Sequence, residues 1–264
     1  MKSKVITITN QKGGTGKTTT SLFLAYGLAD RGKHVLVIDL DQQADATFSL
    51  SQGRQYDGSG KTSFELLTGE TAAKDCLVPI NLLIDLIPAT KQLAQLDVAL
   101  AQNNMYRADL LKDAIKSIKS KYDYVLIDTP PALSILITNA LTASDYMVIP
   151  TQADLYSIKG LADLAQTVRQ INNKKLKVAG ILIDRYNART VYSKVAANLL
   201  SQGAATLKTK VFDTKIREAI VVKEAEHQFK SIYDYSKRAG VTKDANNFVD
   251  ELLEVIQNDK NKEL

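Results

Sequence analysis

The sequence predicts an α/β fold, a mostly parallel twisted β-sheet with helices on both faces. Three observations predict it. Short apolar, β-branched runs alternate with segments of helical periodicity along most of the chain. The first run, Val5-Ile6-Thr7-Ile8-Thr9, leads through a glycine-rich turn, Lys12-Gly13-Gly14-Thr15-Gly16-Lys17-Thr18, into a helical pattern. Two further runs end on aspartate, at Asp39 and Asp128, and open α/β sheets collect their ligands beyond such C-terminal strand ends. At 264 residues, 45% of them hydrophobic, the chain can bury a full core as one domain spanning 1–264.

In chain order, residues 4–9 read as the first strand and 17–31 as its helix. Leu22, Ala25, Leu28 and Ala29 share one face of that helix, and Gly32 is its stop. Residues 35–38 are the second strand. The polar stretch 51–61, with three glycines, is a loop before a short helix at 63–67. A strand at 82–87 closes on Pro88, and helices follow at 91–101 and 107–120. Residues 124–127 are a buried strand ending on Asp128-Thr129-Pro130-Pro131. Strands at 146–149 and 178–183, helices at 158–171 and 190–200, and a terminal helix at 244–257 complete the pattern. No repeat or Pro-rich linker divides it, so a single domain is expected. No helix-turn-helix domain is expected before the glycine-rich turn.

That turn fits G-x-x-x-x-G-K-[ST] except at its first position, which is Gln11. The pattern present is K-G-G-x-G-K-T, with a second lysine in the loop. A strand, a tight turn and a helix N-terminus in register imply a phosphate site for a nucleotide. Gly13, Gly14 and Gly16 permit positive φ and let backbone N–H groups curl round phosphate oxygens. Thr15 and Thr19 lie in the same loop and first helical turn. Lys17 is placed to reach the β- and γ-phosphates. The Thr18 hydroxyl suits Mg²⁺, which prefers oxygen ligands and keeps several waters.

Asp128 has the form of a Walker B carboxylate, orienting Mg²⁺ directly or through water. Asp41 lies in a loop, from which it can orient or deprotonate a water facing the γ-phosphate. Asp39 is a candidate to hold a water bound to the metal. The plainer account of all three is turn formation at strand ends. Pro130-Pro131 would stiffen a segment that senses the γ-phosphate. No Asn-Lys-x-Asp guanine-reading motif occurs, so ATP is the expected nucleotide.

Composition excludes several classes. A single cysteine, Cys76, rules out a disulfide framework or an iron–sulfur site of paired cysteines, and it suits a reducing cytoplasm. No run approaches the ~18 apolar residues of a membrane span, and the N-terminus lacks a signal peptide's apolar core. A soluble cytoplasmic protein is expected. The net charge of +5 is unevenly placed: from Lys174 to Arg238 there are fourteen Lys/Arg against six Asp/Glu. That asymmetry fits either a polyanion-binding surface or an ordinary solvated face.

These residues resemble the ParA/MinD group of deviant Walker ATPases, and within it the small ParA-type partition ATPases. The resemblance spans nearly the whole chain. It rests on 12–18, 39–45, 86–89, 125–131, 149–152, 156–161, 187–190, 216–218 and 223–225. It implies an ATP-dependent sandwich homodimer that binds double-stranded DNA without sequence preference. A ParB-type centromere-binding partner would stimulate a slow Mg²⁺-dependent hydrolysis and so release the DNA, giving a nucleoid-associated protein. Lys12 matches the signature lysine that reaches the partner's phosphates, and Asp41 the catalytic aspartate. DNA contacts would fall on Arg189 and Arg217, with Lys194, Lys208, Lys210, Lys215 and Lys223 as neighbours. Adenine contacts are sought at Asp184, Arg185 and Asn187 and in 214–216.

One departure affects the switch segment. The family's Asp-Pro-Gln-Gly-Asn run is Asp41-Gln42-Gln43-Ala44-Asp45 here. The alternative within the group is a MinD-like membrane-cycling or cargo-positioning ATPase. The tail 248–256 has an apolar stripe but an acidic polar face, which anionic lipid repels, so no membrane partner is expected.

Overall fold

The computed structural model describes residues 3–102, 107–131, 134–171 and 173–262. Eight strands form one sheet: β1 (Lys4–Ile8), β2 (Val35–Asp39), β3 (Val78–Pro79), β4 (Ile84–Ile87), β5 (Tyr124–Asp128), β6 (Tyr146–Gln152), β7 (Lys177–Tyr186) and β8 (Val211–Arg217). Their order is β3-β4-β2-β5-β1-β6-β7-β8. All pairs are parallel except β3 with β4. The inner strands β2 and β5 are buried along their whole length. They read as continuous apolar runs because helices cover both of their faces.

The helices are α1 (Lys17–Asp30), α2 (Asp45–Leu50), α3 (Ser63–Thr68), α4 (Leu93–Gln102), α5 (Leu110–Ala114), α6 (Ile135–Ala143), α7 (Leu155–Gln170), α8 (Val191–Ala204), α9 (Ile220–His227), α10 (Ile232–Tyr235) and α11 (Gly240–Lys262). Leu22, Leu24 and Leu28 of α1 share one core with Phe248, Val249 and Leu252 of α11. The opposite face carries α3 to α8 over two further apolar clusters. From β1 the chain passes to β2 on one side, and from β5 it passes to β6 on the other. The crevice at this reversal, beyond the C-terminal end of β1, holds the glycine-rich loop.

Several elements differ from the sequence pattern. α6 was not expected: its run Ile-Leu-Ile-Thr-Asn-Ala-Leu-Thr-Ala is buried almost all round and shows no polar face. Its start is fixed by Ser134, whose hydroxyl accepts from the amides of Leu136 and Ile137. β8 was missed because it is an edge strand with only Phe212 and Ile216 buried. The helices α2, α9 and α10 also went unread. The helix expected at 107–120 shortens to α5 and continues as two 3₁₀ turns. The tighter winding keeps Leu111, Ile115 and Ile118 on the core. The terminal helix begins at Gly240, and its Phe248 meets Phe212 of β8 edge to face at 5.2 Å.

Candidate functional site

The loop between β1 and α1 is built on positive φ at Gly14 and Gly16, at 71° and 83°. Gly16 caps α1, and a Cβ there would run into the Asp184 carboxylate of β7. The Asn10 side chain pins the loop's start. Its amide donates to the Pro150 carbonyl at 2.8 Å and its oxygen accepts from the Lys12 amide at 3.0 Å. Gln152 holds the apex, donating to the Gly14 carbonyl at 3.0 Å. The Thr15 hydroxyl donates to the Lys12 carbonyl at 3.3 Å. Gly13 packs against Pro131 on the segment that follows β5.

The two lysines take different directions. Lys17 is 7% exposed, and its ammonium folds over the loop to the Lys12 carbonyl at 3.3 Å. Burial lowers its pKa, opposed by the carboxylates of Asp128 and Asp41. Lys12 instead forms a 2.7 Å ion pair with Asp154. Asp154 caps α7, accepting from the Ser157 amide at 2.9 Å. Burial would raise its pKa, but the hydrogen bonds from Lys12 and Ser157 outweigh it and hold the carboxyl below its usual range.

Asp128 and Asp39 lie side by side at the ends of β5 and β2. Asp128 is fully buried and accepts from Thr18 at 2.8 Å and Ser21 at 2.9 Å. Thr18 and Ser21 sit one helical turn apart on α1, so a single face of the helix presents both hydroxyls. Burial raises the Asp128 pKa against those two hydrogen bonds. Asp39 is raised as well, by burial and then by Asp128. Both Asp128 oxygens are engaged by α1, whereas both Asp39 oxygens are engaged by the segment that follows β2: Asp41 N at 3.0 Å, and Thr47 N and hydroxyl at 2.9 and 2.7 Å. Asp39 therefore positions the loop that carries Asp41. Asp41 is nearly buried and accepts from the Gln43 amide at 3.0 Å. The next turn forces Ala44 into the left-handed region, φ 56°.

Beside the loop, the ends of β7 and β8 with α1 and α9 enclose a pocket of about 80 Å³. Thr19, Phe23, Asp184, Ile216, Val222 and Glu226 line it, with Arg185 also on its wall. Thr19 thus faces this pocket rather than the glycine cradle, with its hydroxyl 3.4 Å from Glu226. Burial pushes the Asp184 carboxyl up to about 6. Asn187 and Thr214 do not line the pocket: Asn187 accepts from the Arg189 amide, and the Thr214 amide donates to Glu251.

The expected DNA contacts spread over three elements. Arg189 and Lys194 are exposed around the start of α8, and Lys223 is exposed on α9. Lys215 of β8 lies over the Tyr186 ring at 5.6 Å. Arg217 is not a free cation. Its guanidinium donates twice to Asp244 of α11, at 2.6 and 2.8 Å. Asn10, Ser21, Thr47 and Asp154 were not singled out from the sequence. Ser21 was legible as the residue three after Thr18 on one helix face; the others owe their roles to distant strands.

A family model described as an AAA domain, AAA_31, matches residues 3–181. The chain is 37% identical over 240 residues to the sporulation initiation inhibitor protein Soj of Bacillus subtilis, covering 89% of this chain and 92% of that one. It is 35% identical over 228 residues to the chromosome partitioning protein ParA of Caulobacter vibrioides, covering 84% and 83%. A putative plasmid partition protein of Borrelia burgdorferi, solved with AMPPNP bound, superposes with a TM-score of 0.77 at 26% identity. That match covers 98% of this chain and 100% of the other. With a two-lysine phosphate loop, a buried strand-end aspartate on the loop's threonine, and these relatives, the chain belongs to the ParA-type partition proteins of the ParA/MinD deviant Walker group.

Proposed function

We propose that this protein is a partition ATPase whose ATP-bound sandwich dimer holds double-stranded DNA without sequence preference and releases it on hydrolysis. The observation that carries the reading is the divergence of the two loop lysines. Lys17 covers its own loop, whereas the Lys12 side chain is 38% exposed and, among the described residues, has Asp154 as its ion-pair partner. A second, partly exposed cation beside a triphosphate site suits a facing subunit, whose negative charge it would neutralise. Thr18 and Asp128 fit Mg²⁺, which would supply charge neutralisation between the β- and γ-phosphates. The hydroxyl is in place, and the buried carboxylate beside it already favours a cationic neighbour.

Within that site Lys17 binds the β- and γ-phosphates, and Asp41 orients the attacking water. Gly13, Gly14, Thr15 and Gly16 cradle the phosphates. The pocket at Thr19, Ile216 and Val222 takes the adenine. Arg189, Lys194, Lys215 and Lys223 contact DNA phosphates, while Arg217 ties β8 to α11. A ParB-type partner stimulates turnover, and the protein works on the nucleoid in the cytoplasm. Against a membrane-cycling role, the apolar stripe of α11 is packed into the core through Ala245, Phe248, Val249, Leu252 and Ile256.

The test is DNA retention measured with ATP, with ADP and without nucleotide, across a salt series. Retention with ATP alone, weakening steeply with salt, is the expected result. Equal retention in all three conditions would remove the nucleotide switch.

A further inference from the structure

At the opposite end of the sheet from the phosphate loop lies a cleft of about 670 Å³, two of whose rim lysines, Lys208 and Lys210, are among the expected DNA contacts. The C-terminal end of α7, the start of β7, the loop before β8 and the last turns of α11 form it. Its walls are apolar, with Val168, Leu176, Val178, Leu207 and Val255, and its rim carries Arg169, Lys177, Lys208 and Lys210. Two of these cations are already paired. Lys177 meets Asp259 at 2.7 Å, and Lys210 meets Glu251 at 3.4 Å. Arg169 and Lys208 are exposed, and among the described residues neither has an ion-pair partner. Lys208 also adopts the left-handed region at φ 52°, a conformation that a lysine enters at a cost.

We propose that this cleft binds an organic phosphate of nucleotide size, with its apolar part against Val168, Leu176 and Leu207 and its phosphate held by Arg169 and Lys208. The volume falls in the range of small-molecule sites, about 300–1,000 Å³, which combine apolar walls with a few placed polar groups. The shape decides between ligand classes. A duplex is convex and presents phosphates on a polar surface, so it gains nothing from a recessed apolar wall. A small amphipathic anion uses both the wall and the two unpaired cations. Asn258 adds an acceptor and a donor at the α11 side, while Asp259 is engaged by Lys177 and the Tyr146 hydroxyl.

Pyridoxal 5′-phosphate is a suitable probe, since it joins an aromatic ring to a phosphate and its aldehyde condenses with a lysine amine, losing water. The imine is then trapped with borohydride and mapped by mass spectrometry. Saturating Mg-ADP keeps the phosphate loop occupied. Label is expected to concentrate on Lys177, Lys208 and Lys210 at concentrations that leave the exposed Lys112, Lys116 and Lys121 unmodified. Arg169→Gln, which retains every lysine, should lower that labelling about tenfold, the equivalent of one charge-assisted hydrogen bond. Even labelling of all exposed lysines, or no effect of Arg169→Gln, would overturn the proposal. So would full protection of the three lysines by a DNA duplex with ATP, which would assign the cleft to the nucleic-acid face. The Mg-ADP arm contains no DNA, so it can fail while ATP-dependent DNA retention stands.

Discussion

Asp154 and Asp184 carry the sharpest consequences for single residues. Asp154→Asn preserves the α7 cap, because Asn caps as well as Asp. It frees Lys12 from a half-exposed pair worth up to about 1 kcal/mol. The ATP concentration needed for self-association should fall up to about fivefold; an unchanged or higher concentration would show that Asp154 does not restrain Lys12. Asp184 is buried with a pKa raised to about 6 from an ordinary carboxylate value. The folded chain therefore holds this proton more tightly than the unfolded chain. The ionised form destabilises the fold at pH 7 and above, and the penalty fades as pH falls from about 6 to below 4. Asp184→Asn should raise stability by up to about 3 kcal/mol at pH 7.5 and by nothing near pH 3.5. Denaturant melts at the two pH values check both the sign and the window.

At the scale of elements, the segment after β2 matters most. Thr47 of α2 bridges two strands: it donates to Asp39 and accepts from the Ala89 amide at 2.8 Å. Thr47→Val leaves the buried Ala89 amide without its acceptor and takes from Asp39 one of its three hydrogen bonds, at about 1–3 kcal/mol. Turnover should fall with it, since the Asp39 carboxylate that holds the Asp41 amide is then less firmly fixed. Ala44 stands where the family pattern has glycine, and its φ of 56° explains that preference. Ala44→Gly should stabilise the chain by about 1 kcal/mol, read as a raised thermal midpoint; a lowered midpoint would mean that the side chain is needed there. Arg217→Ala should lower the thermal midpoint by loosening β8 from α11, and leave the salt slope of DNA retention unchanged. Arg189→Ala should make that slope shallower by about one unit.

The whole molecule shows why part of this was legible in sequence and part was not. The phosphate loop, Lys17, Thr18 and Asp128 obey local rules, a strand, a turn, a helix start and a strand end, so pattern alone places them. Asp154 and Gln152 act on the loop from β6 and its flank, and Asn10 ties the loop's start to Pro150 of β6, only because the sheet order sets β6 beside β1. No spacing along the chain reveals that neighbour. α6 escaped because a helix buried on nearly all sides has no periodicity to read. β8 escaped because one side of it faces solvent, where Glu251 and Asp244 of α11 cover its amides. The pairing of Arg217 was hidden in a similar way: its partner Asp244 lies on a helix 27 residues away.

Dimerisation by exchange of Lys12 is the claim on which the switch depends. It is tested most directly by light scattering of the Asp41→Ala chain with Mg-ATP, alone and combined with Lys12→Ala. Twice the single-chain mass for the first variant and the single-chain mass for the second is the predicted result. A lone subunit that binds ATP in both, or a dimer indifferent to Lys12, would contradict it.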